Sequence, residues 1–234
     1  MTIKIGITEK GDAGLDFSWY AKRKNYDGLI LITKSLSDEF IKKAKDTNCI
    51  VHATITGLGG SIYEPNVPKF IDSIYKFKDL CDNIGKERVI LRIDPIIPEE
   101  TCIVKAMDVY IKLHKTIIDN CKTRVRISFL DNYPHVKQRF INAGLQPLPY
   151  NFHAPLELRK EILKLFSDAE VCGEPGIKSI GCVSEKDLEI LGVEMSKNAV
   201  KGFQRTECNC LSIKKEIFTE RKQCPNKCLY CDWK

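Results

Sequence analysis

Three cysteines near the C-terminus have the spacing of a metal site. Cys224, Cys228 and Cys231 form the pattern C-x3-C-x2-C within the sequence CPNKCLYC. Their neighbours include proline, asparagine, lysine and aspartate, which does not fit cysteines that only fill an apolar core. Lys227, between the first two, favours the ionised thiolates that bind metals. The spacing therefore predicts a metal bound through sulfur.

Two kinds of metal site remain open at this point. In a zinc site, a fourth ligand such as Cys208 or Cys210 would complete a tetrahedron. In an iron-sulfur cluster, the three thiolates would hold three irons of a cubane and leave the fourth iron open. Zinc sites usually begin with a C-x2-C pair, which this pattern does not. An open iron would be a place for chemistry.

The segments that must position these cysteines alternate between strand and helix patterns. Short β-branched or apolar runs begin near residues 3, 29, 49, 88, 125 and 170, and the longer stretches after most of them have helical spacing of apolar residues. This alternation is typical of βα units and a parallel sheet. The predicted fold is α/β, a complete or partial TIM-like (β/α) barrel with a C-terminal cysteine-rich cluster loop. A doubly wound sheet is the alternative.

Polar side chains follow three of the predicted strands, at the edge where a barrel carries its chemistry. Arg92 and Asp94 alternate with apolar residues at the end of one strand, Ser128 and Asp131 end the next, and Glu174 ends the one after. We expect these five residues to converge on one rim as catalytic groups. For Arg92 and Asp94, a buried structural ion pair is the alternative.

The composition narrows the class of protein. The chain has 234 residues, 43% hydrophobic and 29% charged, which predicts one domain over residues 1–234, with a barrel core at 1–192 and a cysteine-rich segment at 193–234. It has neither an apolar run of membrane-spanning length nor a secretory signal, so a cytoplasmic protein without membrane contact is expected. Its 11 cysteines then favour metal binding or catalysis over disulfides. The net charge of +6 permits an anionic substrate without predicting one.

CPNKCLYC, with Tyr230 directly before the last cysteine, resembles the cluster motif of the radical S-adenosylmethionine superfamily. In that superfamily the motif usually follows the first strand. Its C-terminal position here resembles a family of bacterial and phage proteins with a domain of unknown function, distantly akin to spore photoproduct lyase. The segment TEKGDAG departs from the polar turn of that family. The other carriers of the resemblance are YEPNVP from Tyr63, IGKERVILRIDPI from Ile84, RISFLDNY from Arg126, CGE from Cys172, the single Cys182 and R-x-x-C-x-C from Arg205.

The resemblance implies a radical S-adenosylmethionine enzyme. Its three cysteines would bind a 4Fe-4S cluster, whose open iron would chelate S-adenosylmethionine. Reductive cleavage would then release a 5′-deoxyadenosyl radical that abstracts hydrogen from a substrate. A glycine-rich segment after the third predicted strand would approach the methionine end of this cofactor, with an ordinary flexible loop as the alternative. The implied cofactor-binding residues are Thr56, Gly57, Gly59, Gly60 and Tyr230.

The resemblance also implies partners and a second site. A reducing protein such as a flavodoxin or ferredoxin would supply the electron, and the substrate would be a nucleobase, a nucleotide or a nucleic acid. Cys172, Cys182, Cys208 and Cys210 match cysteines of the family, and four thiolates suit an auxiliary zinc ion or second iron-sulfur cluster. Alternatively, Cys172 fills the core, and C-x-C is too short to bind one zinc.

Two rival functions use the same residues. A zinc- or iron-sulfur-binding nucleic-acid module would need the C-terminal cysteines only for its structure and would catalyse nothing. A metal-free barrel enzyme would rely on Arg92, Asp94 and Glu174, and its C-terminal segment would serve in oligomerisation. The metal bound by the cysteines distinguishes these hypotheses.

Overall fold

A computed structural model describes residues 3–115, 122–195, 200, 207–220 and 223–232. Arg205, which belongs to one of the quoted motifs, lies outside these ranges. The strands within them are β1 (Ile5–Ile7), β2 (Gly28–Thr33), β3 (Cys49–Thr54), β4 (Val89–Ile96), β5 (Arg124–Phe129), β6 (Glu170–Val171) and β7 (Lys214–Glu216). The α-helices are α1 (Ser18–Lys22), α2 (Asp38–Lys45), α3 (Phe70–Ile84), α4 (Glu100–Tyr110), α5 (Pro134–Asn142), α6 (Leu156–Leu163) and α7 (Glu185–Leu191).

All seven strands lie in one parallel sheet with the order β6-β5-β4-β3-β2-β1-β7. The first six strands are arranged in chain order, without the reversal of a doubly wound sheet. In the described part of the chain, β6 and β7 do not pair, so the sheet is an open, curled half-barrel. The α/β prediction is therefore confirmed, and the architecture is compatible with a partial TIM-like barrel.

Strand β7 extends the sheet beyond the predicted core. It pairs with β1 in parallel, with Ile5 opposite Lys214 and Ile7 opposite Glu216. The predicted core boundary at residue 192 therefore does not coincide with the end of the sheet. The sequence of β7 is KKE, which carries no apolar alternation from which a strand could be predicted.

The boundaries of several helices follow local sequence signals. The Ser37 side chain caps α2 by accepting a hydrogen bond from the Phe40 amide (3.2 Å), and Gly85 ends α3 with a φ of 87°. Ser184 and Asp187 form a reciprocal capping box at the start of α7. None of the helices described is long and apolar enough to cross a membrane.

The two faces of the sheet have different partners. The outer face packs against the helices, and Leu91 and Ile93 of β4 lie in this layer. Arg92 and Asp94 alternate with them, so they lie on the inner face. Part of the inner face of the first four strands is apolar, and it packs against side chains within residues 182–191 and 210–213. Its core residues include Ile5, Ile7, Ile30, Ile50 and Ile90.

The inner face also contains a fully buried arginine. Arg126 of β5 has no exposed surface, and its Nη2 lies 2.6 Å from Glu170 Oε2 and 3.8 Å from Asp187 Oδ2. Arg124 Nη1 lies 2.7 Å from Asp187 Oδ1. Removing one partner of such a network leaves uncompensated buried charge, which costs more than the pairing itself contributes.

Replacement of this arginine should therefore destabilise the protein strongly. We expect Arg126→Ala to lower the free energy of unfolding by about 3 kcal/mol or more. The control is Lys164→Ala, which breaks an ion pair with Glu161 whose side chains are 68% and 64% exposed; its effect should stay below about 0.5 kcal/mol. Urea unfolding measures both. Equal effects would contradict the assignment of Arg126 to the buried network.

Candidate metal and cofactor site

The loop after β7 lies against loops from the other end of the chain. Parallel strands end at the same edge of a sheet, so residues that follow different strands meet there. We call residues 223–232 the cluster loop. The Leu229 amide donates to the Tyr63 carbonyl (2.9 Å), and Arg139 Nη1 donates to the Cys231 carbonyl (2.6 Å). The cluster loop is thus hydrogen-bonded to the loop after β3 and to helix α5.

A buried aspartate joins the cluster loop to the end of β1. Asp12 Oδ1 accepts hydrogen bonds from the Gly14 amide (2.9 Å) and Thr33 Oγ1 (2.5 Å). Its Oδ2 accepts from the Lys34 amide (2.8 Å) and from Asn226 Nδ2 (2.8 Å). Burial raises the pKa of Asp12 although these four bonds oppose the rise. One carboxylate therefore connects the loops after β1, β2 and β7.

A second buried carboxylate lies under the predicted cofactor residue Tyr230. Glu64 is 1% exposed, and its Oε1 accepts hydrogen bonds from Lys34 Nζ (2.9 Å), Thr56 Oγ1 (2.7 Å) and the Tyr230 hydroxyl. Burial opposes its charge, but Lys34 and these hydrogen bonds hold the pKa of Glu64 below its ordinary value. The Tyr230 ring packs in an apolar cluster. Tyr230 therefore anchors the cluster loop, and its contact with a cofactor stays a prediction.

The predicted glycine-rich segment forms a tightly packed loop beside this anchor. Gly57 and Gly60 have φ values of 80° and 74°, which favour glycine. A Cβ on Gly57 would lie 2.8 Å from the Lys105 carbonyl oxygen, and one on Gly59 would lie 1.9 Å from the Pro68 carbonyl oxygen. Local packing thus explains these glycines. Their approach to a methionine carboxylate stays a prediction.

Arg92, Asp94 and Ser128 come together at the mouth of the half-barrel. Arg92 Nη2 forms an ion pair with Asp94 Oδ2, and the Ser128 hydroxyl donates to Asp94 Oδ1. Burial opposes the charge on Asp94, but Arg92, the Ser128 hydrogen bond and Lys34 together lower the pKa of Asp94. Lys34 interacts electrostatically with both Asp94 and Cys228. Lys34 therefore connects the ion pair of Arg92 and Asp94 to the cluster loop.

The remaining two predicted catalytic residues form a separate group on the rim. Asp131 Oδ1 lies 2.8 Å from His153 Nδ1. Glu174 Oε1 accepts from the Phe129 amide (2.7 Å), and its Oε2 accepts from Arg159 Nη1 (2.9 Å). Burial raises the pKa of Glu174 to about 7, although the amide and Arg159 oppose the rise. Glu174 therefore titrates in the range that suits an acid or base catalyst.

The three cysteines of the cluster loop are half-buried thiols. Burial is the main cause that raises the pKa of Cys224 and Cys228, the latter to about 12 although Lys34 opposes the rise. In the ranges the structure describes, no group of three or more Cys, His, Asp or Glu side chains is arranged around one metal ion. The donor chemistry nevertheless fits a metal. Cys231 acts electrostatically on both Cys224 and Cys228, and Cys224 acts on Cys228, so the three thiols are neighbours. A bound metal would displace their protons.

The other four predicted metal ligands lie elsewhere. Cys182 and Cys210 belong to the inner-face core, and Cys172 and Cys208 pack against it. Beside the cluster loop, an open pocket of about 340 Å³ adjoins Cys224. Its lining includes Lys10, Asp12, Phe17, Phe218, Cys224 and Pro225.

Three charged residues of the site were not predicted. Lys34 directly follows the apolar run of β2, so the rule that selected the ends of other strands could have found it. Glu64 lies within YEPNVP and Asp12 within TEKGDAG, two segments singled out without a role for either residue. Their importance depends on contacts with residues far along the chain, which a local pattern does not reveal.

The buried bond between Asn226 and Asp12 should control the mobility of the cluster loop. Asn226→Ala should speed hydrogen exchange in residues 224–231 by roughly tenfold to a hundredfold, because removing a buried hydrogen bond costs about 1–3 kcal/mol. Asn66→Ala is the matched control, since it removes an exposed bond to the Pro225 carbonyl (2.7 Å). Equal exchange rates in the two variants would show that the loop does not depend on Asp12.

The raised pKa of Glu174 predicts a pH-dependent stability. The folded state binds this proton more tightly than the unfolded state, so its contribution is full below pH 4.5 and lost as the pH rises to about 7. Glu174→Gln cannot titrate. We therefore expect its free energy of unfolding, relative to that of the wild type, to increase over this pH interval. Urea titrations at several pH values measure the difference, and a pH-independent difference would refute the shift.

Comparison with known proteins places the chain in a family. No curated protein matches the sequence. A family model described as a domain of unknown function, DUF1848, matches residues 18–232, a range that contains all three cysteines of the cluster loop together with Asp12's partner Asn226. Because this match extends over most of the sequence, the chain belongs to the DUF1848 family.

Proposed function

We propose that this protein is a radical S-adenosylmethionine enzyme whose 4Fe-4S cluster is bound by Cys224, Cys228 and Cys231. The observation that carries the proposal is the position of the cluster loop. It follows β7, which pairs with β1, and Asn226 bonds to Asp12 in the loop after β1. In the superfamily that the motif resembles, the cysteines usually follow the first strand. The two arrangements differ in chain order but bring the cysteines to the same edge of the sheet.

The surroundings of the cysteines suit this role. Three thiolates would occupy three irons of a cubane and leave the fourth iron open for S-adenosylmethionine. When bound, the cluster and S-adenosylmethionine would supply reductive cleavage of the sulfonium and a 5′-deoxyadenosyl radical. The task left to the protein is to bind, orient and shield these groups.

Lys34 and Glu64 would hold the site together electrostatically. The Lys34 ammonium is near Cys228 and stabilises a thiolate there. Glu64 balances the charge of Lys34 and also receives the Tyr230 hydroxyl, so the cation and the cluster loop are fixed by one carboxylate. Both side chains are largely withdrawn from water, with exposures of 14% and 1%. Low solvent access strengthens such interactions.

The rim residues would orient the organic cofactor and the substrate. The backbone of residues 56–60 borders the Glu64 anchor and would approach the methionine end of S-adenosylmethionine. The Arg92–Asp94 pair and Ser128 would lie between this cofactor and the substrate, and Glu174 would hold or accept a proton. A cytoplasmic flavodoxin or ferredoxin would deliver the electron. The proposed substrate class, a nucleobase or a nucleic-acid-linked group, rests on the distant resemblance to spore photoproduct lyase.

The metal content of protein purified without oxygen tests the proposal. We expect about four irons and four sulfides bound by the cluster loop, and an electron paramagnetic resonance signal of the reduced protein that changes when S-adenosylmethionine is added. Reduction with S-adenosylmethionine should also yield 5′-deoxyadenosine. Cys228→Ala should lose the iron, the signal and this product.

Cys49→Ser is the matched control for Cys228→Ala. Cys49 is a buried thiol of β3 that bonds to the Ala44 carbonyl (3.4 Å), so serine can keep its contact. This variant should keep its iron. Zinc in the cluster loop, or a signal indifferent to S-adenosylmethionine, would contradict the proposal and favour a structural nucleic-acid module.

A further inference from the structure

Four cysteines outside the cluster loop meet inside the half-barrel. We propose that Cys172, Cys182, Cys208 and Cys210 bind a single tetrahedral metal ion of the zinc type. This site is separate from the cluster loop, and it does not require the proposed radical chemistry. Its ligands come from the loop after β6 and from the segment that leads into β7.

The four cysteine side chains are neighbours in series. Cys172 Sγ lies 3.5 Å from Cys182 Sγ. The Cys210 side chain is close enough to those of Cys182 and Cys208 to influence the pKa of each. Two thiolates on one tetrahedral zinc lie roughly 3.8 Å apart, from a Zn–S bond of about 2.3 Å. The observed spacing of the first pair is therefore close to the edge of a zinc tetrahedron.

The series of sulfurs is not yet closed around a common point. Within the described ranges, no three Cys, His, Asp or Glu side chains already surround one ion. Cys172 and Cys208, at the two ends of the series, are only half-buried, whereas Cys182 and Cys210 are buried. The proposed site therefore requires the two outer side chains to turn toward Cys182 and Cys210 when the metal binds.

A glycine permits the two ligand segments to approach each other. A Cβ on Gly181 would lie 2.4 Å from both the amide nitrogen and Cα of Cys210, and 2.5 Å from the carbonyl carbon of Asn209. Such distances are sterically forbidden, so only glycine fits there. Asn209 Nδ2 also donates to the Ser179 carbonyl (2.9 Å). The backbone is thus shaped to bring the residue before Cys182 against Cys210.

Hydrogen-bond donors and cations surround the sulfurs. The Cys182 amide donates to Cys210 Sγ (3.1 Å), which is the kind of support that thiolate ligands receive in metal sites. Lys214 Nζ lies 3.6 Å from Cys210 Sγ. Arg92 and Arg126 interact electrostatically with Cys172 and Cys182 in the loop after β6. Four thiolates and a divalent ion carry a charge of about −2, which these cations would offset.

The contacts favour one ion over the alternatives. A 4Fe-4S cluster inserts iron and inorganic sulfide between its cysteines, and therefore requires wider separations than the contact between Cys172 and Cys182. Cysteines that only fill a core have no reason to align sulfur to sulfur. Cys49, a core cysteine of the same sheet, instead bonds to a backbone carbonyl. The metal would fasten the residues that precede β7, and so fix the strand from which the cluster loop begins.

Metal analysis of full-length protein purified without oxygen tests this site. We expect one zinc per chain in the wild type, in Cys228→Ala and in the core control Cys49→Ser. Cys182→Ser and Cys208→Ser should each lower zinc occupancy at least tenfold. Cobalt(II) added to zinc-depleted protein should give the visible absorption of a tetrahedral thiolate complex, which Cys228→Ala retains and Cys182→Ser loses.

Several results would refute the proposed four-cysteine site. Each can be distinguished from a result that refutes the iron-sulfur cluster of the proposed function. Unchanged zinc in a folded Cys208→Ser variant would exclude these ligands, and this half-buried position guards against misfolding of Cys182→Ser. Loss of zinc in Cys228→Ala would assign the ion to the cluster loop. Iron in place of zinc, lost in Cys182→Ser, would indicate a second cluster. Absence of iron with zinc intact would refute only the proposed function.

Discussion

The parallel pairing of β7 with β1 is the constraint on which the candidate site depends. Parallel strands deliver their following loops to one edge, so this pairing brings residues 223–232 to a loop more than two hundred positions earlier in the chain, where Asn226 reaches Asp12. β7 is short and has charged side chains, so apolar packing of its own residues contributes little to its position. The adjoining Ile213 and Ile217 are buried on opposite sides of the sheet and supply that packing.

Buried carboxylates then convert this proximity into a fixed geometry. Asp12 and Glu64 each accept hydrogen bonds from groups on several loops, and Lys34 contributes to both, through its amide and its ammonium respectively. An ionised carboxylate without such donors would be costly to bury, so the loops and the carboxylates require each other. Lys34 interacts electrostatically with Glu64, Asp94 and Cys228, so it links the carboxylates of the rim to the cluster loop.

The sequence predicted those features that depend on residues close together in the chain. Alternating apolar runs predicted six strands. The alternation of side chains along β4 explains why Leu91 and Ile93 face the helices while Arg92 and Asp94 lie together on the inner face. Their ion pair was the alternative that the sequence left open. β7, α5 and α7 were not predicted, since their patterns are short or polar. Lys34 and Glu64 were missed because their roles arise from tertiary contacts: the bond between Glu64 and Tyr230 joins residues 166 positions apart. Spacing indicated the cluster cysteines, but the sulfur contacts of the other four required the fold.

The C-terminal position of the cluster loop has a consequence for biosynthesis. A ribosome makes the chain from its N-terminus, and six of the seven described strands precede residue 172. Most of the sheet can therefore assemble before Cys224 is made. The pairing of β7 with β1 and the docking of the cluster loop come last, because β7 lies only a few residues before this loop. Any metal that the cluster loop binds, as proposed above, would reach a sheet that is already largely formed.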